Sequence, residues 1–136
     1  QGSLTGRDNA RLIARVYGAD VKETVAQVEE FAELGIYLDE PVKSYSSGMN
    51  SRLSFAISMA VDFDCYLVDE VISVGDARFN RRCEDELKRR ATKAMVLVSH
   101  HSDLILGNCD HAAILENGRL RVIEDINEAV HYYTNM

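Results

Sequence analysis

The sequence predicts an α/β protein with a helical first part and a second part that alternates strand and helix around a sheet. Three observations carry this. Capped amphipathic runs fill the chain up to about position 61. A short apolar run at 65–68 then stops at the paired acids Asp69 and Glu70. A second such run, 94–99, stops at His100.

The elements follow in order. Thr5 followed by Asp8 has capping-box spacing, and Leu12, Ile13, Val16 and Tyr17 then form an apolar helical stripe that Gly18 ends. Asp20 with Glu23 opens a second helix. Its face is Val21, Val25, Val28 and Ala32, and Gly35 is the expected stop. A loop over 39–45, holding the single proline Pro41, leads to a third helix at 48–61. The run 65–68 is short and rich in large apolar side chains, so it reads as a strand buried on both faces. A helix is expected at 76–90 and a strand at 94–99. A strand pair at 112–115 and 120–123 should turn at Asn117-Gly118, and a closing helix should span 125–133.

Composition bounds the function. The 136 residues suffice for one domain with a real core, and the net charge of −7 argues against a broad nucleic-acid footprint. Cys65, Cys83 and Cys109 show no CxxC spacing and suit a reducing compartment. No apolar run approaches membrane-spanning length. The chain opens on Gln1 with no visible signal peptide, and reads as a piece of something longer.

Carboxylates leaving a buried strand stand where open α/β sheets bind ligands. One of these acids could help hold a hard cation such as Mg²⁺, and its neighbour could take a proton from water. Both also fit an ordinary strand exit. Ser46-Ser47-Gly48 at a helix start offers orphan backbone N–H groups to an anion, or Ser47 simply caps the helix. His100 could touch a terminal phosphate, or be a satisfied surface histidine. Neighbouring side chains of an extended segment point apart, so His101 is expected to have no share in that role. The Cys and His positions lack the spacing of a dedicated metal site.

Taken together, 45–52, 67–70, 73–76 and His100 resemble, in order and spacing, the C-terminal portion of an ABC-type ATPase. Tyr45-Ser46-Ser47-Gly48-Met49 resembles the signature motif, and Leu67-Val68-Asp69-Glu70 resembles Walker B with the catalytic glutamate. Ser73-Val74-Gly75-Asp76 resembles the loop that crosses the dimer interface. His100 matches the switch histidine, and Gln1 the glutamine that senses Mg²⁺ and water. Cys109-Asp110-His111, Ile114-Leu115 and Asn117-Gly118 resemble the closing strands. Ser-Ser-Gly-Met in place of Ser-Gly-Gly-Gln, with Phe79 and Cys83, is similar to exporters of capsular polysaccharide, O-antigen or teichoic acid. The chain ends soon after Tyr132-Tyr133, which favours the capsular type.

The resemblance implies an incomplete P-loop NTPase fold of the ABC-ATPase type. Residues 1–47 would be helical subdomain and loop. Residues 48–136 would be the signature helix and the C-terminal half of a RecA-like core. It implies ATP and Mg²⁺ as ligands, with Asp69 holding Mg²⁺ through water and Gln1 beside it. Glu70 and His100 would be catalytic, and Ser46, Ser47, Gly48 and Met49 would contact ATP across a homodimer joined through Ser73, Gly75 and Asp76. The implied partners are a second ATP-binding subunit and a polytopic membrane permease received by 7–33, at the cytoplasmic face of a bacterial inner membrane. No GxxxxGK[ST] occurs in the sequence, so the chain is expected to be the C-terminal part of an ATPase and inactive alone.

Two other classes remain. A non-transport ABC ATPase would share these motifs but usually carries long heptads or basic segments. A receiver-like signalling module shares acids at a strand end, without a use for Ser46-Ser47-Gly48. Several features have structural readings: Arg78, Arg81, Arg82, Lys88, Arg89 and Arg90 as a solvated face, and Phe79, Cys83 and Leu87 as a core stripe. Cys65 and Cys109 read as small packed groups.

Overall fold

A computed structural model describes residues 1–69, 76–90 and 92–136. The chain divides into two compact units. One holds Gln1–Phe63 and Val71–Cys83, the other Asp64–Glu70 and Glu84–Met136.

The first unit is helical. Helix α1 (Gly6–Tyr17) starts at Thr5, whose Oγ1 accepts from the Asp8 N–H at 3.0 Å, and ends at Gly18 with φ +68°. Helix α2 (Val21–Ala32) starts at Asp20, which accepts from the Glu23 N–H at 2.8 Å. Its end differs from expectation. Glu33 itself takes the left-handed cap (φ +50°), and Gly35 (φ +56°) opens a following 3₁₀ turn, Gly35–Asp39. Helix α3 (Ser47–Ala60) comes after a second 3₁₀ turn, Val42–Ser44.

The buried face of α1 is not the expected stripe. Val16 and Tyr17 are 65% and 57% exposed, whereas Gly6, Asn9, Ala10 and Ala14 are buried. Small residues win here because α2 and the 3₁₀ segment approach closely. Ala10 packs with Val28, Ala32, Leu34, Leu38, Tyr45, Leu53 and Ala56 in one core. Beside it Phe31, Phe55 and Phe79 form an aromatic cluster, with centroids 5.5–6.4 Å apart.

Helix α4 (Ala77–Arg89) carries the chain from the first unit into the second, and Phe79, Cys83 and Leu87 are buried as the stripe predicts. In the second unit β1 (Cys65–Asp69) and β2 (Ala94–Val98) pair in parallel, with Cys65 opposite Ala94 and Asp69 opposite Val98. The expectation of two buried faces fails. Tyr66 and Val68 are buried, but Leu67 is 81% exposed and Cys65 also faces out. Among the described residues this sheet has two strands and no element over its second face. Cys109 is half-buried, so of the cysteines only Cys83 is fully packed away.

Helix α5 (Ser102–Asn108) leads to an antiparallel hairpin of β3 (Ala112–Glu116) and β4 (Arg119–Ile123). Asn117 (φ +49°) and Gly118 (φ +76°) make its turn, both positions having the positive φ that this tight turn demands. Helix α6 (Ile126–Thr134) is capped by Asp125, which accepts from the N–H groups of Asn127 and Glu128. It packs on the hairpin through Ile114, Ile123 and Ala129. Among the described residues no helix is long and apolar enough to cross a membrane.

Candidate nucleotide site

The first unit presents the signature segment at a helix N-terminus. Ser46, rather than Ser47, is the cap: its Oγ accepts from the Met49 N–H at 3.2 Å, and its carbonyl accepts from Asn50 N–H at 2.9 Å. Helix geometry leaves the N–H groups of Ser47 and Gly48 without intrahelical acceptors, and these suit an approaching anion. A Cβ built on Gly48 would meet one atom within 4 Å, Ser46 Oγ at 3.9 Å. Packing therefore gives no reason for a glycine that costs its helix about 1 kcal/mol relative to alanine. Close approach by something outside the chain does give one.

Tyr45 anchors this edge from below. Its hydroxyl donates to the Tyr37 carbonyl at 2.5 Å, and its ring is buried beside Gly6. Burial pushes its phenol above the ordinary value. Arg7 fixes the 3₁₀ segment, with Nε 2.7 Å from Asp39 Oδ1 and Nη2 3.0 Å from Glu29 Oε1. Both carboxyls titrate below their usual range because they accept hydrogen bonds from Arg7.

Gln1 is held by Asn9, a buried polar side chain. Asn9 Nδ2 donates to the carbonyls of Gln1 (3.0 Å) and Thr5 (2.9 Å), and Oδ1 accepts from the Gln1 nitrogen. The Gln1 side chain is exposed.

Asp76 divides its carboxylate. Oδ1 accepts from the N–H groups of Arg78 (2.9 Å) and Phe79 (3.4 Å) and so caps α4, while Oδ2 lies 2.5 Å from Arg52 Nη2. The two backbone donors, with Arg52 adding charge, hold its pKa below the ordinary value. Arg52 is a site residue to which the sequence reading gives no role. The only sequence signal is its place on the signature helix, since its acidic partner stands 24 positions away.

In the second unit Asp69 ends β1 and is exposed. The strands run parallel and in register, so His100, two positions past β2, leaves the same sheet edge as Asp69. The imidazoles of His100 and His101 do not point apart. Their centroids are 4.0 Å apart, because β2 ends at Val98 and the backbone bends before α5. Among the described residues no three His, Cys, Asp or Glu side chains converge to hold a metal. A single exposed carboxylate still suits Mg²⁺, which keeps several waters and takes its remaining ligands from substrate phosphates. Glu70, Ser73 and Gly75 lie outside the described residues.

The basic face of α4 is also more engaged than expected. Arg78 and Arg82 reach Glu33, Arg82 lies 4.8 Å from the Phe31 ring, and Arg90 pairs with Glu86 and lies over Tyr66.

A helical unit with a signature-like helix start, and a parallel sheet unit with acid and histidine at one edge, have the fold of an ABC-type ATP-binding subunit. A solved structure of the ATP-binding subunit of an ABC transporter matches with TM-score 0.80 at 19% identity, over 98% of this chain and 64% of that one. The sequence relatives are more specific. The capsule polysaccharide export ATP-binding protein CtrD of Neisseria meningitidis is 52% identical over 100% of this chain and 63% of its own length. The ATP-binding protein BexA of Haemophilus influenzae is 52% identical over 98% and 62%. The teichoic acids export protein TagH of Shouchella clausii is 38% identical over 96% and 38%. No family model matches. This chain is similar in sequence to the capsule polysaccharide export ATP-binding protein CtrD and to the ATP-binding protein BexA, and spans somewhat under two thirds of the length of each.

Proposed function

We propose that this chain is the signature-bearing and Walker B-bearing part of an ATPase that drives export of capsular polysaccharide. The observation that carries the reading is the 52% identity to a capsule-export ATP-binding protein over the whole chain. The motif positions and the uncrowded Gly48 at the capped start of α3 support it.

In this reading Ser46, Ser47, Gly48 and Met49 meet the terminal phosphate of ATP held mainly by a second ATP-binding subunit. The loop at 73–76, through Ser73, Gly75 and Asp76, lines the interface between the two copies. Glu70 accepts a proton from water as the water oxygen attacks the γ-phosphorus, and ADP leaves with the bridging oxygen. His100 donates to a γ-phosphate oxygen. Asp69 and Gln1 would help hold Mg²⁺, which would supply neutralising charge. A GxxxxGK[ST] loop must come from beyond these 136 residues. A membrane permease receives the work on the cytoplasmic side of the inner membrane.

The test uses a chimera in which this chain replaces the matching segment of meningococcal CtrD. The chimera should hydrolyse ATP and restore surface capsule in a strain lacking CtrD. Glu70→Gln should lower turnover about 10²–10⁴-fold while ATP still binds. Undiminished hydrolysis by that variant overturns the assignment. Hydrolysis without capsule leaves the ATPase standing and removes the glycan.

A further inference from the structure

Arg52 connects three segments of the first unit. Nη2 lies 2.5 Å from Asp76 Oδ2, and Nη1 donates to the Ala32 carbonyl at 3.3 Å and lies 3.8 Å from Glu33 Oε2. The guanidinium carbon sits 4.5 Å from the Phe79 ring centroid. Arg52 stands five residues after Ser47 on α3, at the helix end that would face phosphate. Asp76 caps the start of α4. Glu33, in its left-handed cap, also takes Arg82 Nη1 at 2.6 Å and pairs with Arg78.

We propose that Arg52 is a positioning residue that locks Asp76, and with it the start of α4, to the signature helix, with Glu33 fixing the other edge of its guanidinium. This rests on the reading of Ser46, Ser47 and Gly48 as ATP-facing and of Asp76 as part of the interface between the two copies. The Arg52 side chain is 18% exposed but its acidic partners are far more open, and such pairs contribute little to stability. Their geometry is specific, however. A planar fork serves two carboxylates and a carbonyl while lying on a ring, and a lysine cannot reproduce that. Misplacing groups that position a reaction costs rate far more than it costs folding. The signature helix and the start of α4 are therefore held as one piece, and the end of α2 is tied to both.

The experiment compares Arg52→Gln, Arg52→Lys, Asp76→Asn and the double variant Arg52→Gln/Asp76→Asn in the CtrD chimera. Asparagine still caps α4, so Asp76→Asn removes the ion pair and keeps the helix start. Each single variant should lower kcat about tenfold, with the KM for ATP and the melting temperature nearly unchanged. The double variant should be no slower than either single one. Amide hydrogen exchange at Arg78 and Phe79, whose N–H groups Asp76 holds, should speed up in Arg52→Gln. Unchanged kcat, additive losses, or a kcat loss matched by a fall in melting temperature would each overturn the proposal. So would full rescue by lysine. An active Glu70→Gln chimera would instead sink the functional reading, and the exchange rates alone would then decide the role of Arg52.

Discussion

Gly6 occupies the first turn of α1, where a Cβ would come 2.6 Å from Tyr45 Oη, 2.9 Å from Leu38 Cδ1 and 3.2 Å from the Leu38 carbonyl. Alanine would gain at most ~1 kcal/mol of helix propensity there. Overpacking costs about 1–3 kcal/mol, so the clash should win and Gly6→Ala should lower the melting temperature by several degrees. Tyr45→Phe alone should also destabilise, by about 1 kcal/mol, because it removes one of the two donors to the Tyr37 carbonyl and leaves only the Glu40 N–H at 3.0 Å. Combined with Gly6→Ala, the same substitution removes the closest clashing atom. The double variant should therefore melt higher than the sum of the two losses predicts. Strict additivity in calorimetry would show that the Tyr45 hydroxyl does not set the space around Gly6.

At the scale of elements, most helix starts, the hairpin turn and the α4 stripe were legible, whereas the end of α2 and the packing faces of α1 and β1 were not. Thr5, Asp20 and Asp125 bond their own helix starts, and Asn117-Gly118 turns the hairpin, because each effect spans three residues or fewer. The stripe on α1 misled because hydrophobicity marks large side chains, whereas the close approach around Ala10 selects small ones. In the candidate site, Ser46 and Asp76 could be found by motif, but Arg52 gains its meaning from partners on two other segments. The capping and paired acids also set the pH response. Asp8, Glu29, Asp39, Asp76 and Asp125 all titrate below their ordinary values when folded. Each lowered folded pKa adds stability above the unfolded value, which is lost as pH falls through the folded one. Urea midpoints should hold from pH 7 to 5 and then fall below about pH 4. High salt should weaken the share from Arg7 with Glu29 and Asp39 more than that from the caps. A midpoint that rises on acidification would contradict this sign.

At the scale of the whole molecule, each unit carries apolar surface that water should not meet. The first exposes Val16, Tyr17, Ile36 and Tyr37, and the second Leu67, Val96, Val98, Leu115, Leu120 and Val122. Within the second unit a groove of about 720 Å³ runs past β2, the hairpin and α6, lined largely by such side chains and by His100. Parallel strands are normally covered on both faces, and two strands alone are barely stable. The relatives carry more than a third of their length beyond the part this chain matches. On the proposed reading, a chain without a phosphate loop should bind nucleotide weakly. A helix N-terminus contributes about 0.3–1 kcal/mol to an exposed anion, and ~2 kcal/mol when partly buried. Millimolar binding needs about 4 kcal/mol. Purified as these 136 residues, the chain should bind a hydrophobic dye, self-associate, and hold ATP more weakly than millimolar. In the CtrD chimera the dye should leave and micromolar to millimolar ATP affinity should appear. A dye-free monomer of the chain alone that binds micromolar ATP by calorimetry would show that the phosphate loop is not where most of the affinity resides.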